Sequence, residues 1–298
     1  MKKYLIHLFS FFFLLFLAGY PLEYYLSKNY YTTSKQSWVL NQKGGSYDFA
    51  VLGSSRVYNM VDINTMEKEL GGDGINIATS GSNYAENYLI LMKFVENNNL
   101  STLILNIDQY SLDSKNSFSY PFHEFEFIPF FGEGNCRSTF LDNLSRKRYY
   151  LWRLYPLAGY IEFNDVFYLK QQQTSEWDLN KGTQLLEKKR EGPIKKKHLP
   201  RSIDALDKKY FYKIVEFCEQ ESIEVLLVTT PIYEKERSTS DETYQHIVDA
   251  INCNYISYKE IFEFDNSNYF EDQTHTSQNG SIIYSKALAK SIKDRMNN

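Results

Sequence analysis

Three short stretches of this chain carry residues whose types and spacing could do chemistry. Ser55 stands in Gly53-Ser54-Ser55-Arg56, directly after the short apolar run Tyr47-Asp48-Phe49-Ala50-Val51-Leu52. A glycine lets the chain turn sharply where a strand ends. A hydroxyl on that turn sits where the backbone N–H groups of an opening helix can face a developing oxyanion. Asp272 and His275 lie three residues apart in Phe270-Glu271-Asp272-Gln273-Thr274-His275-Thr276-Ser277. A carboxylate this near can accept the imidazole Nδ1 proton and fix the tautomer, leaving Nε2 free to take a proton from a serine. In Thr79-Ser80-Gly81-Ser82-Asn83, Gly81 permits close backbone approach, so its N–H can serve an anion. Each piece alone has a plainer reading. Ser55 could be an ordinary helix cap, the Gly81 loop an ordinary turn, and Thr276 or Ser277 a cap for the last helix. Capping does not explain His275, one of only five histidines.

These loops need a frame that brings them together, and the hydrophobic pattern predicts one. Apolar runs at 47–52, 75–78, 102–107, 223–228 and 254–256 read as buried parallel strands. Helical spacing predicts helices over 62–70, 84–98, 203–221, 240–251 and 277–296. The alternation implies an α/β fold, a three-layer α/β/α sandwich around a five-stranded parallel sheet. Ligands in such sheets bind at the carboxyl ends of the strands, where all three loops fall. From about 111 to 200 the rhythm breaks, and this aromatic-rich insertion shows few clear elements.

Together the three loops resemble those of the SGNH hydrolases, the GDSL esterase superfamily, over roughly residues 47–110 and 203–296. The resemblance implies that Ser55 is the nucleophile, that Gly81 donates an oxyanion N–H, and that Asp272 and His275 complete a triad. That family's third block is typically Gly-x-Asn-Asp, with asparagine as a further oxyanion donor. Here the block reads Leu105-Asn106-Ile107-Asp108, with Asp108 in the asparagine's place. An ionised aspartate cannot donate, which leaves Asn106 or Asn83 as the third donor. Gly-Ser-Ser turns, with Arg56 as a further substrate-side residue, resemble membrane-anchored relatives in D-alanine transfer to teichoic acid and in polysaccharide O-acetylation. The implied activity is that of a serine esterase or O-acyltransferase working on acyl esters of an envelope polysaccharide. A membrane protein would be a possible acyl-donor partner. The rival is a non-catalytic envelope-assembly or polysaccharide-binding protein that keeps the fold.

The amino terminus sets the compartment. Lys2 and Lys3 precede an apolar stretch from Tyr4 to about Leu26, long enough to cross a bilayer and without a good cleavage site after Ala18. We read residues 1–27 as an uncleaved transmembrane signal anchor, 28–46 as a linker, and 47–298 as the SGNH-like domain. The short basic tail favours a cytoplasmic N-terminus, with the remainder in the periplasm or on the cell surface. A cytoplasm-facing domain is the weaker alternative. A net charge of −4 gives no overall attraction to nucleic acid. No Walker loop, zinc spacing or dinucleotide fingerprint occurs, so neither metal nor cofactor is expected. Cys136, Cys218 and Cys253 cannot all pair within one chain, and burial as small apolar residues is the expectation for Cys218 and Cys253. The basic run Glu187–His198 could face an anionic polymer or lipid, or be a solvated loop. The aromatic segment Tyr120–Phe131, with His123, could be a sugar-stacking lid or pack inward.

Overall fold

Parallel strands buried on both faces are largely apolar, and the later, buried residues of the longer strands here follow that rule while their opening residues are polar and more exposed. The computed structural model describes residues 2–30, 35–107, 125–155, 158, 176–187, 194, 208–234 and 244–296. In chain order the elements are α1 (Lys2–Tyr30), α2 (Lys35–Leu40), β1 (Ser46–Leu52), α3 (Ser55–Met60), α4 (Ile63–Leu70), β2 (Gly74–Asn76), α5 (Tyr84–Val95) and β3 (Asn99–Asn106). They continue with α6 (Gly134–Asn143), α7 (Arg146–Leu154), α8 (Glu176–Leu179), α9 (Lys209–Gln220), β4 (Glu224–Val228), α10 (Gln245–Ile251), β5 (Asn254–Ile256), α11 (Tyr258–Ile261) and α12 (Gln278–Met296). Two short 3-10 turns, Phe125–Phe130 and Ser267–Tyr269, complete the set.

The five strands form one parallel sheet in the order β2-β1-β3-β4-β5. The chain runs outward from β1 to β2, then crosses back to β3 on the other side of β1. The order therefore reverses at β1, which places a crevice at its carboxyl end. On one face α5 packs on α9, with Tyr84 edge-on to Phe211 at 5.3 Å. On the other, α3, α4, α11 and α12 share one apolar core that includes Val57, Tyr58, Tyr258, Tyr284 and Leu288. The expected three layers and parallel strands are present.

The chain separates into two units, one of residues 39–115 and 174–298, the other of 1–38 and 116–173. The first holds the sheet. In the second, α1 is the one described helix long and apolar enough to cross a membrane. Here the sequence reading needs correction. The stretch from 111 to 200 was expected to hold few elements, yet it contains α6, α7 and α8. Phe127, Phe131, Phe140, Tyr149 and Trp152 are fully buried there, with Phe131 and Phe140 at 4.2 Å. The described end of the aromatic segment thus makes a core of its own unit, as an inward-packing segment should. Tyr120 and His123 lie outside the described residues, as does most of the 187–198 basic run. The stretch taken as a linker includes α2 and the first residue of β1.

None of the three cysteines is in a disulfide. Burial pushes the Cys218 thiol up to about 12 and that of Cys253 up to about 11, so both stay protonated near neutrality.

Residues 176–187 form a strap over the second face. The Lys181 carbonyl accepts from Asn76 N–H at the sheet edge, and the Leu186 carbonyl accepts from Gln278 N–H at the start of α12. Between them, Tyr58 Oη accepts from Trp177 Nε1 at 2.7 Å and donates to Gln184 Oε1 at 2.5 Å. Tyr58→Phe removes the partner of both groups while keeping the ring. We expect it to cost about 1–3 kcal/mol, seen as a lower urea midpoint at unchanged slope.

Candidate active site

The site is built where β1 ends. Gly53 is required by space: a methyl on it would come within 2.6 Å of Val57 Cγ2 and 3.0 Å of Asn106 Cβ. Ser54 is the N-cap of α3, so the capping role falls to Ser54 and Ser55 becomes the first helical residue. Its N–H has no intrahelical acceptor by the geometry of helix starts. Its side chain leaves the helix to meet His275, with Oγ 3.0 Å from Nε2.

His275 is held by a tight loop. Phe270 and Thr276 form an antiparallel bridge, and Glu271 N–H and Asp272 N–H both donate to the His275 carbonyl. Asp272 fills this loop. Its Oδ1 accepts from Thr274 N–H at 2.6 Å, Thr274 Oγ1 at 2.9 Å and His275 N–H at 2.9 Å. Both its oxygens lie 3.1 Å from His275 Nδ1. The same carboxylate therefore folds the loop and orients the imidazole. Its partial burial alone would raise its pKa. The hydrogen bonds from His275 and Thr274 and the attraction of His275 overcome this, and the carboxyl titrates well below the usual carboxylate range. Nδ1 bonded to a carboxylate and Nε2 facing a hydroxyl is the tautomer that general-base catalysis needs.

The loop is tied to α3, which carries Ser55, by α12. Ser281 Oγ meets Thr276 Oγ1 at 2.7 Å and donates to the Asn59 carbonyl of α3 at 3.1 Å. Gly280 sits against the Tyr269 carbonyl so closely that a methyl could not fit. Ser55 and His275, 220 positions apart, thus hang from one packed group of helices.

The other expected site residues divide. Gly81 occupies a turn at φ +75°, a backbone shape that favours glycine. Its loop is fastened beside the serine turn, with Ser82 Oγ donating to the Gly53 carbonyl at 3.0 Å and Thr79 N–H at 3.3 Å. Asn106 is buried at the end of β3, next to Gly53. Asp108 lies outside the described residues. Asn83 and Arg56 also take structural roles. Asn83 is the N-cap of α5, its Oδ1 accepting from Ala85 and Glu86 N–H while Glu86 Oε2 accepts from Asn83 N–H. The Asn-x-x-Glu spacing already carried that capping-box signal. Arg56, expected at the substrate, is only 5% exposed and donates to the Thr230 carbonyl after β4. A guanidinium turned inward cannot reach a ligand in the crevice, and it anchors the serine turn to the neighbouring strand instead. Thr274 was missed altogether; its hydroxyl lies 3.3 Å from His275 Nδ1 as well as on Asp272.

No family model matches this sequence, and no curated protein does. Among solved structures, the chain is similar to a GDSL-like lipase of Bacteroides thetaiotaomicron at 9% identity and a TM-score of 0.37, covering 84% of this chain and 88% of that one. It is similar also to a proposed acylhydrolase of Bacteroides fragilis, at 9% identity and a TM-score of 0.38, over 86% of this chain and 88% of the other. Likenesses this distant leave the chemistry to the site itself. The parallel α/β sheet thus carries Ser55 after β1, the Gly81 turn after β2 and Asp272-x-x-His275 ahead of α12.

Proposed function

We propose that this chain is a serine acyl-transfer enzyme, an esterase or O-acyltransferase, acting outside the cytoplasm on acyl esters of a cell-envelope polysaccharide. One observation carries the chemistry: Ser55 Oγ stands 3.0 Å from His275 Nε2 while Asp272 holds Nδ1 through both oxygens. Ser55 attacks the ester carbonyl as His275 takes its proton, and Asp272 stabilises the imidazolium that forms. The tetrahedral oxyanion is met by the N–H groups of Ser55 and Gly81, with the Asn106 amide as the third donor. His275 returns the proton to the leaving alcohol, and the acyl group passes from Ser55 to water or to a sugar hydroxyl. The anchor reading of α1 and the Gly-Ser-Ser turn support the envelope setting, with an acylated carbohydrate as substrate and a membrane protein as a possible acyl donor.

Labelling of the detergent-purified full chain with a fluorophosphonate probe tests the first step. Wild type is expected to label, with Ser55→Ala and His275→Ala silent at unchanged melting temperature. A folded wild type that stays unlabelled, with p-nitrophenyl acetate also untouched, would put the non-catalytic reading in its place.

A further inference from the structure

The helix α7 buries one side and leaves an unusual face outward. Tyr149 and Trp152 are fully buried in the core of their unit, and Arg148 stacks over Trp152 at 5.0 Å. At 100° per residue, the opposite face carries Lys147, Tyr150, Leu151 and Leu154, with Arg146 and Arg153 on its flank. All six are exposed, Tyr150 by 42%, Leu151 by 46% and Leu154 by 65%. Outside α1, six large apolar side chains are strongly exposed among the described residues, and three of them lie here. No acidic residue interrupts α7. A merely solvated helix has no use for two leucines and a tyrosine set among cations. A helix lying in a lipid interface has: the apolar side chains enter the acyl boundary while the long cations reach back to phosphate.

The position of α7 within its unit fits the same surface. Tyr155, the residue that ends α7, stacks on Phe16 of α1 at 5.4 Å and 23°. Its ring covers Gly19, the one buried residue within Lys2–Pro21, where any larger side chain would displace it. Phe16 and Gly19 belong to the last turns of the apolar segment Lys2–Pro21, the end nearest the rest of the chain. The end of α7 is thus fixed at the depth where a spanning α1 would leave the hydrocarbon.

We propose that α7 is an interfacial helix that docks on anionic lipid headgroups, with Leu151 and Leu154 inserted beside α1 and Arg146, Lys147 and Arg153 on the phosphates. The partner is a bilayer surface rich in anionic lipid, and charge complementarity together with continuity with α1 selects it. The proposal rests on α1 being a membrane anchor.

The test uses full-length protein in nanodiscs of phosphatidylcholine, alone or with phosphatidylglycerol. A bimane probe is placed by Leu154→Cys or, separately, Leu14→Cys on a Cys253→Ser background. The buried Cys136 and Cys218 stay protected from the reagent. Nitroxide on the lipid chains is the quencher. The probe at 14 is expected to be quenched in both lipids. The probe at 154 is expected to be quenched severalfold more with phosphatidylglycerol, and to lose that gain with Arg146→Glu and Lys147→Glu together. Quenching at 14 but never at 154 overturns the proposal and leaves the anchor standing. Quenching at 154 that ignores both lipid charge and the two reversals overturns the headgroup assignment. No quenching at 14 removes the anchor, and this proposal with it.

Discussion

Asp272→Asn is expected to cut kcat/KM by roughly 10³–10⁴-fold while leaving the protein folded, and Asp272→Ala to cut it similarly while also lowering the melting temperature. The two differ because the carboxylate has two jobs. Towards His275 it must accept the Nδ1 proton. An amide that presents its NH₂ there meets donor with donor, and the ring turns to the wrong tautomer. Towards its own loop, Oδ1 accepts from Thr274 N–H, Thr274 Oγ1 and His275 N–H, and an asparagine oxygen can still do that. Alanine cannot, so the loop loosens. Ester hydrolysis and thermal melts on the three proteins separate the roles; equal melting temperatures for Asn and Ala would remove the loop-organising role. The same carboxyl sets an acid boundary. Its folded pKa lies below its unfolded one, so its contribution to stability is fully present above about pH 4 and is lost as pH falls towards the depressed folded value. In Asp272→Ala this part of the acid destabilisation should be missing from a pH series of melts.

Gly280→Ala is expected to destabilise the protein by about 1–3 kcal/mol and to lower kcat more than KM changes. Helix propensity argues the other way, since alanine is about 1 kcal/mol better than glycine inside a helix. Packing wins because the methyl would strike the Tyr269 carbonyl oxygen, a backbone atom with nowhere to rotate. That carbonyl also accepts from Ser277 N–H at 2.9 Å, so relieving the clash moves the start of α12 away from the loop of His275. The base should then lose its 3.0 Å approach to Ser55. Denaturant unfolding with steady-state kinetics reads both effects. A stabilised Gly280→Ala with normal turnover would mean that the loop and α12 are not locked together as described.

The frame was legible because a buried parallel strand has no polar side to disguise it. Phe49–Leu52, Leu103–Leu105 and Leu226–Val228 read as apolar runs in the sequence and are buried in the sheet. The juxtaposition of Ser55, His275 and Asp272 was legible because Asp-x-x-His needs only local spacing, and Gly-Ser-Ser only a strand before it. What failed was whatever depended on distant partners. Arg56 beside Ser55 looks like a ligand contact until the Thr230 carbonyl, 174 positions away, is seen to accept its hydrogen bond. The helix α7 was hidden because aromatic residues fall on both its buried and exposed sides, which blurs the period: Tyr149 is buried and Tyr150 is not.

The strand lengths of the sheet run 3, 7, 8, 5 and 3 residues from β2 across to β5. Both rims are therefore short, and each is partly plugged: Asn76 N–H is spent on the Lys181 carbonyl, and the Tyr255 carbonyl accepts from Arg295. A neighbouring chain seeking to add a strand finds almost no free ladder on either side. Among the described residues the rims of this sheet thus offer little to β-augmentation, which shifts recognition towards side chains on helices and loops.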